Sequence, residues 1–435
     1  MRRPWVRDGY AFVALFSLWN GDGMRDLLSW WGFSALSLAL LAGGIVILVH
    51  ERWALRRLLK RWHAVPILLF LALCLVSAAW SAYPLYTLLG CFIQLATSTV
   101  AVALVLTAPR RRLVAILALM LHVHLALSIV FEVAVALSPA HRLLPLFTSY
   151  GANVPGAYYW SQGLIFTGQR IQGIAANANL TCFLALLALI VLAVLVRAGA
   201  VRPRLWVPAA LLDLLMVALT RSATVIITGA LVVATALIVL GWRRFGRSGR
   251  IGLAVAGVGA LGLIVLGSSR VFEPVLRVLG RGDDATGRFE IWRLVGTQLI
   301  EQRPVLGWGW IGYWVPWIEP FRGLVIRDGV QYLQAHNAYL DIQMQLGVPG
   351  LLALVLVVGS VVHRSLLLAL VPRPYTVLPL LLLVALLTQG LAESRLLIEG
   401  NWATLVMLSL AVPALTRRAV PAVTPEHGSP AAIEA

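Results

Sequence analysis

Apolar stretches long enough to cross a lipid bilayer recur along almost the whole of this chain, and that recurrence limits its fold more than any motif does. A transmembrane helix needs about 20 mainly apolar residues, and one water-soluble core cannot bury so many of them. With 60% hydrophobic and 12% charged residues in a chain of 435, the sequence specifies an all-α, polytopic membrane protein. Twelve spans are predicted. They cover Tyr10–Trp19, Leu27–Val49, Ala64–Trp80, Leu85–Thr107, Leu113–Leu137, Gly173–Val196, Leu205–Leu219, Ala223–Leu240, Ile251–Leu266, Val348–Leu370, Val377–Leu391 and Trp402–Leu415. The first is short, but no small-residue cleavage site follows it, which argues for a span over a signal peptide.

A net charge of +17 suggests nucleic acid in a soluble protein; here the basic residues fall in the breaks between spans. Arg2/Arg3/Arg7, Arg52 to Arg61, Arg110 to Arg112, Arg197/Arg202/Arg204, Arg243 to Arg250, Arg364/Arg373 and Arg417/Arg418 alternate with breaks that are nearly free of arginine. They read as topology determinants and anchors to anionic lipid, with no nucleic-acid partner. The positive-inside rule then places both termini in the cytoplasm and the intervening loops outside. Residues 1–267 thus hold nine spans and an outer loop near 138–172. Residues 268–347 form a large outer loop, 348–416 hold three spans, and 417–435 are a disordered cytoplasmic tail. Cys74, Cys91 and Cys182 fall inside spans without metal-ligand or redox spacing, and no phosphate-binding Gly-x-x-x-x-Gly-Lys-Ser/Thr loop occurs.

A polar loop of that length between two apolar runs is more than a connector. From Arg288 to Gln302, Trp292, Val295 and Leu299 follow Arg288 at helical spacing, giving an amphipathic helix capped by Asp283, Asp284 or Thr286 and ended by Arg303-Pro304. Arg288 either snorkels at the interface or binds an anion. The run Gly307-Trp308-Gly309-Trp310-Ile311-Gly312-Tyr313-Trp314 suits an aromatic interface belt, or rings that stack on sugar. His336-Asn337 opens a second helix ending near Gly347, with Pro349 behind it. A histidine there is a solvated surface residue or a base able to take a hydroxyl proton near neutral pH. Elsewhere, Asp213 lies mid-span, where a charge needs a partner. Glu393 and Arg395 share an outward turn that faces either the site or solvent. His122, His124 and Glu132 read as buried pairings, and Asp283-Asp284 as caps or a divalent-metal site.

His336-Asn337, with Gly347 and Gly350 following, resembles the outer-loop pattern of bacterial O-antigen ligases and the related O-antigen polymerases. Gly287-Arg288 through Trp292 and Arg303-Pro304-Val305-Leu306-Gly307-Trp308-Gly309 are similar to the same family's shared domain. So are Arg170-Ile171-Gln172-Gly173 through Asn179, where Ala178 replaces a proline, and Thr220-Arg221-Ser222 at a span end. Ligases often carry Arg-x-x-x-Leu where this chain has Arg288-x-x-x-Trp292.

The resemblance implies a GT-C-like fold in the bacterial inner membrane. It implies transfer of an oligo- or polysaccharide from undecaprenyl diphosphate to an acceptor hydroxyl on the outer face. The acceptor would be a glycan, a lipid-linked sugar or a wall polymer, and neither nucleotide sugar, cofactor nor metal is expected. His336 would be the catalytic base with Asn337 orienting it. Arg288, Arg170 and Arg221 would hold the donor diphosphate, with Glu393 and Asp213 in support. A polymerase of the same family is the alternative, and a transporter of lipid-linked sugars is the alternative from another class. A transporter needs charges lining a path through the bilayer, whereas most polar residues here lie beyond it.

Overall fold

A computed structural model describes residues 4–149, 151, 153–250, 252, 284–327 and 329–412. Eight helical units in it are long and apolar enough to cross a bilayer. These are α2 (Gly21–His50), Trp62–Ala79 built around α4 (Val65–Val76), α5 (Pro84–Thr107), α6 (Arg110–Leu137), α7 (Ala178–Arg197), α8 (Pro203–Thr220), α9 (Ala223–Arg244) and α11 (Ala338–Ala369). Three of the expected spans are shorter helices packed in the same bundle: α1 (Pro4–Trp19), α12 (Leu378–Gly390) and α13 (Glu399–Ala411). Ile251–Leu266 and the tail lie outside the described residues. A further helix, α3 (Arg52–Leu59), links α2 to α4.

The burial pattern explains why these segments need lipid. Central α7 is apolar beyond its first turn up to Arg197, and 78% of its span is buried by neighbouring helices, whereas only 11% of α2 is. Leu38, Val46 and Val49 of α2 are each more than half exposed, an arrangement water penalises and hydrocarbon does not. Proline in the first turn starts α4, α5, α8 and α12 where the missing N–H costs nothing, and Asn177 caps α7 by accepting from the amides of Asn179 and Leu180.

The basic breaks gather at one end of the bundle. Arg7 at the start of α1 pairs with Glu51 just beyond α2 at 2.7 Å, and Arg112 of α6 pairs with Asp8 of α1 at 2.5 Å. Arg111 lies over the Tyr375 ring ahead of α12, and Arg243 of α9 donates to the Ala369 carbonyl ending α11. The chain leaves α9 at this end and, after residues 245–250 and 252, is next described at the other, in α10 (Asp284–Leu294).

At that opposite end sits a small lobe. Helix α10 continues as a π-helical turn over Val295–Ile300, and strands β1 (Ile326–Arg327) and β2 (Val330–Gln331) pair antiparallel with Ile326 opposite Gln331. Ile291, Val295, Leu299, Ile311, Trp314, Phe321, Val325 and Ala335 make its core, closed by Tyr83 and Met344 from the bundle. The helix is amphipathic as expected, but its buried stripe starts at Ile291 rather than at Arg288 and Trp292. The aromatic run is neither a belt nor a sugar platform throughout. Positive φ at Gly307, Gly309 and Gly312 turns the chain so that Trp310 and Trp314 are only 1% and 2% exposed, Trp310 meeting Phe70 and Trp314 stacking on Phe321.

The lobe is joined to α11 backbone to backbone. Trp308 N donates to Met344 O, Gly309 N to Gln345 O, and Val348 N to Val305 O, at 2.9, 2.9 and 3.0 Å. The buried Gln345 side chain accepts from the amides of Ile311 and Gly312. Gly347, at φ 60°, is non-helical and kinks α11, and a Cβ there would stand 2.0 Å from Val305 O. The helical stretch opened by Asn337 therefore ends at Gly347 as expected, and a second stretch continues to Ala369.

Candidate functional site

Five segments converge where the lobe meets the bundle: the stretch leading into α7, the α8–α9 corner, the start of α10, the residues before α11, and the turn between α12 and α13. Glu393 in that turn is their hub. Its Oε1 accepts from Arg288 Nη2 at 3.0 Å and Asn179 Nδ2 at 2.9 Å, and its Oε2 faces His336 Nδ1 at 3.1 Å. Only 3% of Glu393 is exposed, so the turn is no solvated loop. Burial alone would raise its carboxyl, but the adjoining His336, Arg288 and Arg395 outweigh it and hold the group down at about 2.

His336 is held from every side. Its backbone is in the left-handed region at φ 50°, uncommon for a residue with a side chain. Before it, Ala335 N donates to Asp341 Oδ2 and Ala335 O accepts from the Trp292 indole at 3.0 Å. After it, Asn337 N donates to Ser394 Oγ, while Asn337 Oδ1 caps α11 through the amides of Tyr339 and Leu340. Asn337 is thus tied to the turn through its main chain, its side-chain oxygen being spent on the helix. Tyr332 packs edge-on to the imidazole at 5.7 Å, and the Gln334 amide approaches Nδ1 at 3.4 Å. The Glu393 carboxylate only accepts, so Nδ1 is the donor of that pair and Nε2 is the ring nitrogen directed away from it.

The three arginines border this group. Arg170 donates to Thr220 O and to Asn179 Oδ1, both at 2.8 Å, and Ser222 Oγ donates to the same Asn179 oxygen at 3.0 Å. Arg288 spreads its fork between Glu393 and Thr224 Oγ1. Arg221 closes α8 in the left-handed conformation, φ 46°, and its exposed side chain has no partner among the described residues. One amide and one carboxylate, Asn179 and Glu393, therefore connect Arg170, Arg288 and His336. Such a cluster pairs a cationic rim suited to phosphate oxygens with an oriented base.

Other candidates lie elsewhere. Asp213, fully buried on α8, faces His122 of α6 at 3.4 Å within the bundle. It is an interhelical pairing between α8 and α6. Glu132 accepts from the amides of Gln172 and Gly173 and from Ser161, fastening the segment before α7 to α6. Asp283 lies outside the described residues, as does the Asp284 side chain. Among the described residues, no three His, Cys, Asp or Glu side chains gather as a metal cage.

Sequence reasoning passed over Asn179, Ser222, Thr224 and Trp292 as partners. Each is an ordinary residue type whose role depends on what lies opposite it. A sequence clue to Asn179 exists in hindsight, since it falls in the first turn of α7 directly after a capping asparagine.

Residues 208–355 match the family model described as O-Antigen ligase. The match contains Arg221, Arg288, His336 and Asn337, whereas Arg170, Asn179 and Glu393 lie beyond its ends. No curated protein matches the chain.

Proposed function

We propose that this O-antigen ligase-domain protein is a membrane glycosyltransferase. It moves an oligo- or polysaccharide from undecaprenyl diphosphate to an acceptor hydroxyl, on the outer face of the bacterial inner membrane, with both termini in the cytoplasm. The observation that carries this reading is the one carboxylate, Glu393, shared by His336 and Arg288 at the end of the bundle away from the basic breaks. That end faces outward under the positive-inside rule.

In the proposed step the acceptor O–H gives its proton to His336 Nε2 while its oxygen bonds to the anomeric carbon. The bond from that carbon to the diphosphate oxygen breaks, and the electron pair leaves on the diphosphate. Arg170, Arg221 and Arg288 neutralise the growing charge. Diphosphate is already a good leaving group, so no general acid is needed. Glu393 orients the imidazole and balances the positive charge it acquires, and general base catalysis of this kind contributes typically about 10²–10⁴-fold.

The test is transfer by purified protein in detergent, supplied with a lipid-diphosphate-linked glycan and an acceptor. Transfer without any ion gradient, abolished by His336→Ala, is the expected outcome. No transfer in detergent, together with movement of the lipid-linked glycan across the bilayer of proteoliposomes, would overturn the proposal in favour of a carrier of lipid-linked sugars. Products in a deletion strain separate the two enzymatic readings: uncapped carrier-linked polymer marks a ligase, and single repeat units mark a polymerase.

A further inference from the structure

We infer that Trp292 is a positioning residue for the base. It braces the peptide ahead of His336 and ties that peptide to the helix bearing Arg288. The inference rests on the reading of His336 as the base.

Arg288 and Trp292 are four residues apart on α10 and so lie on one face of the helix. From that face the helix reaches His336 by two routes. Arg288 donates to Glu393, whose other oxygen faces the imidazole, and Trp292 donates its indole N–H to the carbonyl of Ala335. One route fixes the ring and the other fixes the main chain that carries it.

The second route matters because His336 sits in a backbone region that an L-residue leaves unless its surroundings hold it there. Ala335 is wholly buried, and among the described residues no other donor reaches its carbonyl. Without the indole that oxygen is a buried acceptor with no partner, and rotating the peptide toward another donor would relieve it. Such a rotation changes ψ of Ala335 and φ of His336, and it swings the imidazole off its line with the acceptor. Phe289, edge-on to Trp292 at 5.2 Å, packs against the indole. A leucine at 292 would fill space but offer no hydrogen.

Trp292→Phe and Trp292→Leu should therefore lower kcat about three- to tenfold, the worth of one net hydrogen bond. The KM for lipid-linked donor should stay within about twofold, since Arg170 and Arg221 are untouched. Both variants are compared with wild type and His336→Asn in the detergent transfer assay. Equal losses for Phe and Leu identify the N–H as the working part. Full activity in Trp292→Phe overturns the inference and leaves only ring packing. A donor KM that rises in step with the fall in kcat also overturns it, assigning Trp292 to holding α10 and Arg288. If His336→Asn transfers as well as wild type, the underlying reading has failed instead.

Discussion

Oε2 of Glu393 lies 3.1 Å from Nδ1 of His336, and the other oxygen of the same carboxylate takes hydrogen bonds from Arg288 and Asn179. One buried anion thereby holds both an imidazole and a guanidinium in place. In the proposed reaction, a donor that draws Arg288 toward its own oxygens leaves Glu393 more fully to His336.

Replacing Glu393 by Gln keeps the shape and removes the charge. Transfer should fall about 10²-fold, as kcat rather than donor affinity, because the positive imidazole loses its counter-charge. Unchanged kcat in steady-state assays would show that the carboxylate only builds the turn.

The same residue predicts an acid limb of stability. Its folded value of about 2 lies below the ordinary 4.5, so the stabilisation is complete above 4.5 and is lost as pH falls toward 2. Thermal melting of wild type should drop more steeply across that window than melting of Glu393→Gln, the two curves converging near its lower edge. Parallel curves would show that the ionised carboxylate adds nothing to folding.

Arg288→Lys should impair transfer nearly as much as Arg288→Ala. The guanidinium divides its fork between Glu393 and Thr224, and a lysine point charge cannot serve two directions. A fully active lysine variant in the transfer assay would mark Arg288 as an interfacial anchor.

Asn179→Asp tests the amide between the arginines. Its oxygen faces Arg170 and its nitrogen faces Glu393, so a carboxylate there would repel Glu393 and hold Arg170 more tightly. Donor KM should rise about tenfold or more, with Asn179→Ala milder. Identical kinetics for Asp and wild type would remove Asn179 from the site.

Transfer should also survive chelators. Activity lost to a chelator and restored by Mg²⁺ would point back to the Asp283-Asp284 pair.

What the sequence disclosed followed the physics it encodes. Span-length apolar runs and arginine-rich breaks made the multi-pass class and the common end of the basic breaks legible, because both depend on composition alone. His336 and Arg288 stood out as unusual polar residues in a long insert, and the structure brings them to one carboxylate. Glu393 was harder to weigh, since an acidic residue in a short turn reads equally as solvated, and its burial depends on four other segments. Trp310 and Trp314 misled for the opposite reason. Aromatics next to glycines fit an interface, and only the positive-φ turns reveal that they point inward. Asp213 demanded a partner, and sequence spacing had no means of naming His122.

The glycine seam between the lobe and α11 has one more consequence. Three of its hydrogen bonds run between peptide groups and two more end on the Gln345 side chain, while Gly347 cannot gain even a methyl without meeting Val305 O. Gly347→Ala should cost several kcal/mol from this clash and its φ of 60°, visible as lost yield or a lower melting point. A seam so strict about space makes the lobe and its supporting helix one mechanical part. Under the proposed function, the lobe's outer surface can vary while this part keeps His336 and Arg288 in register.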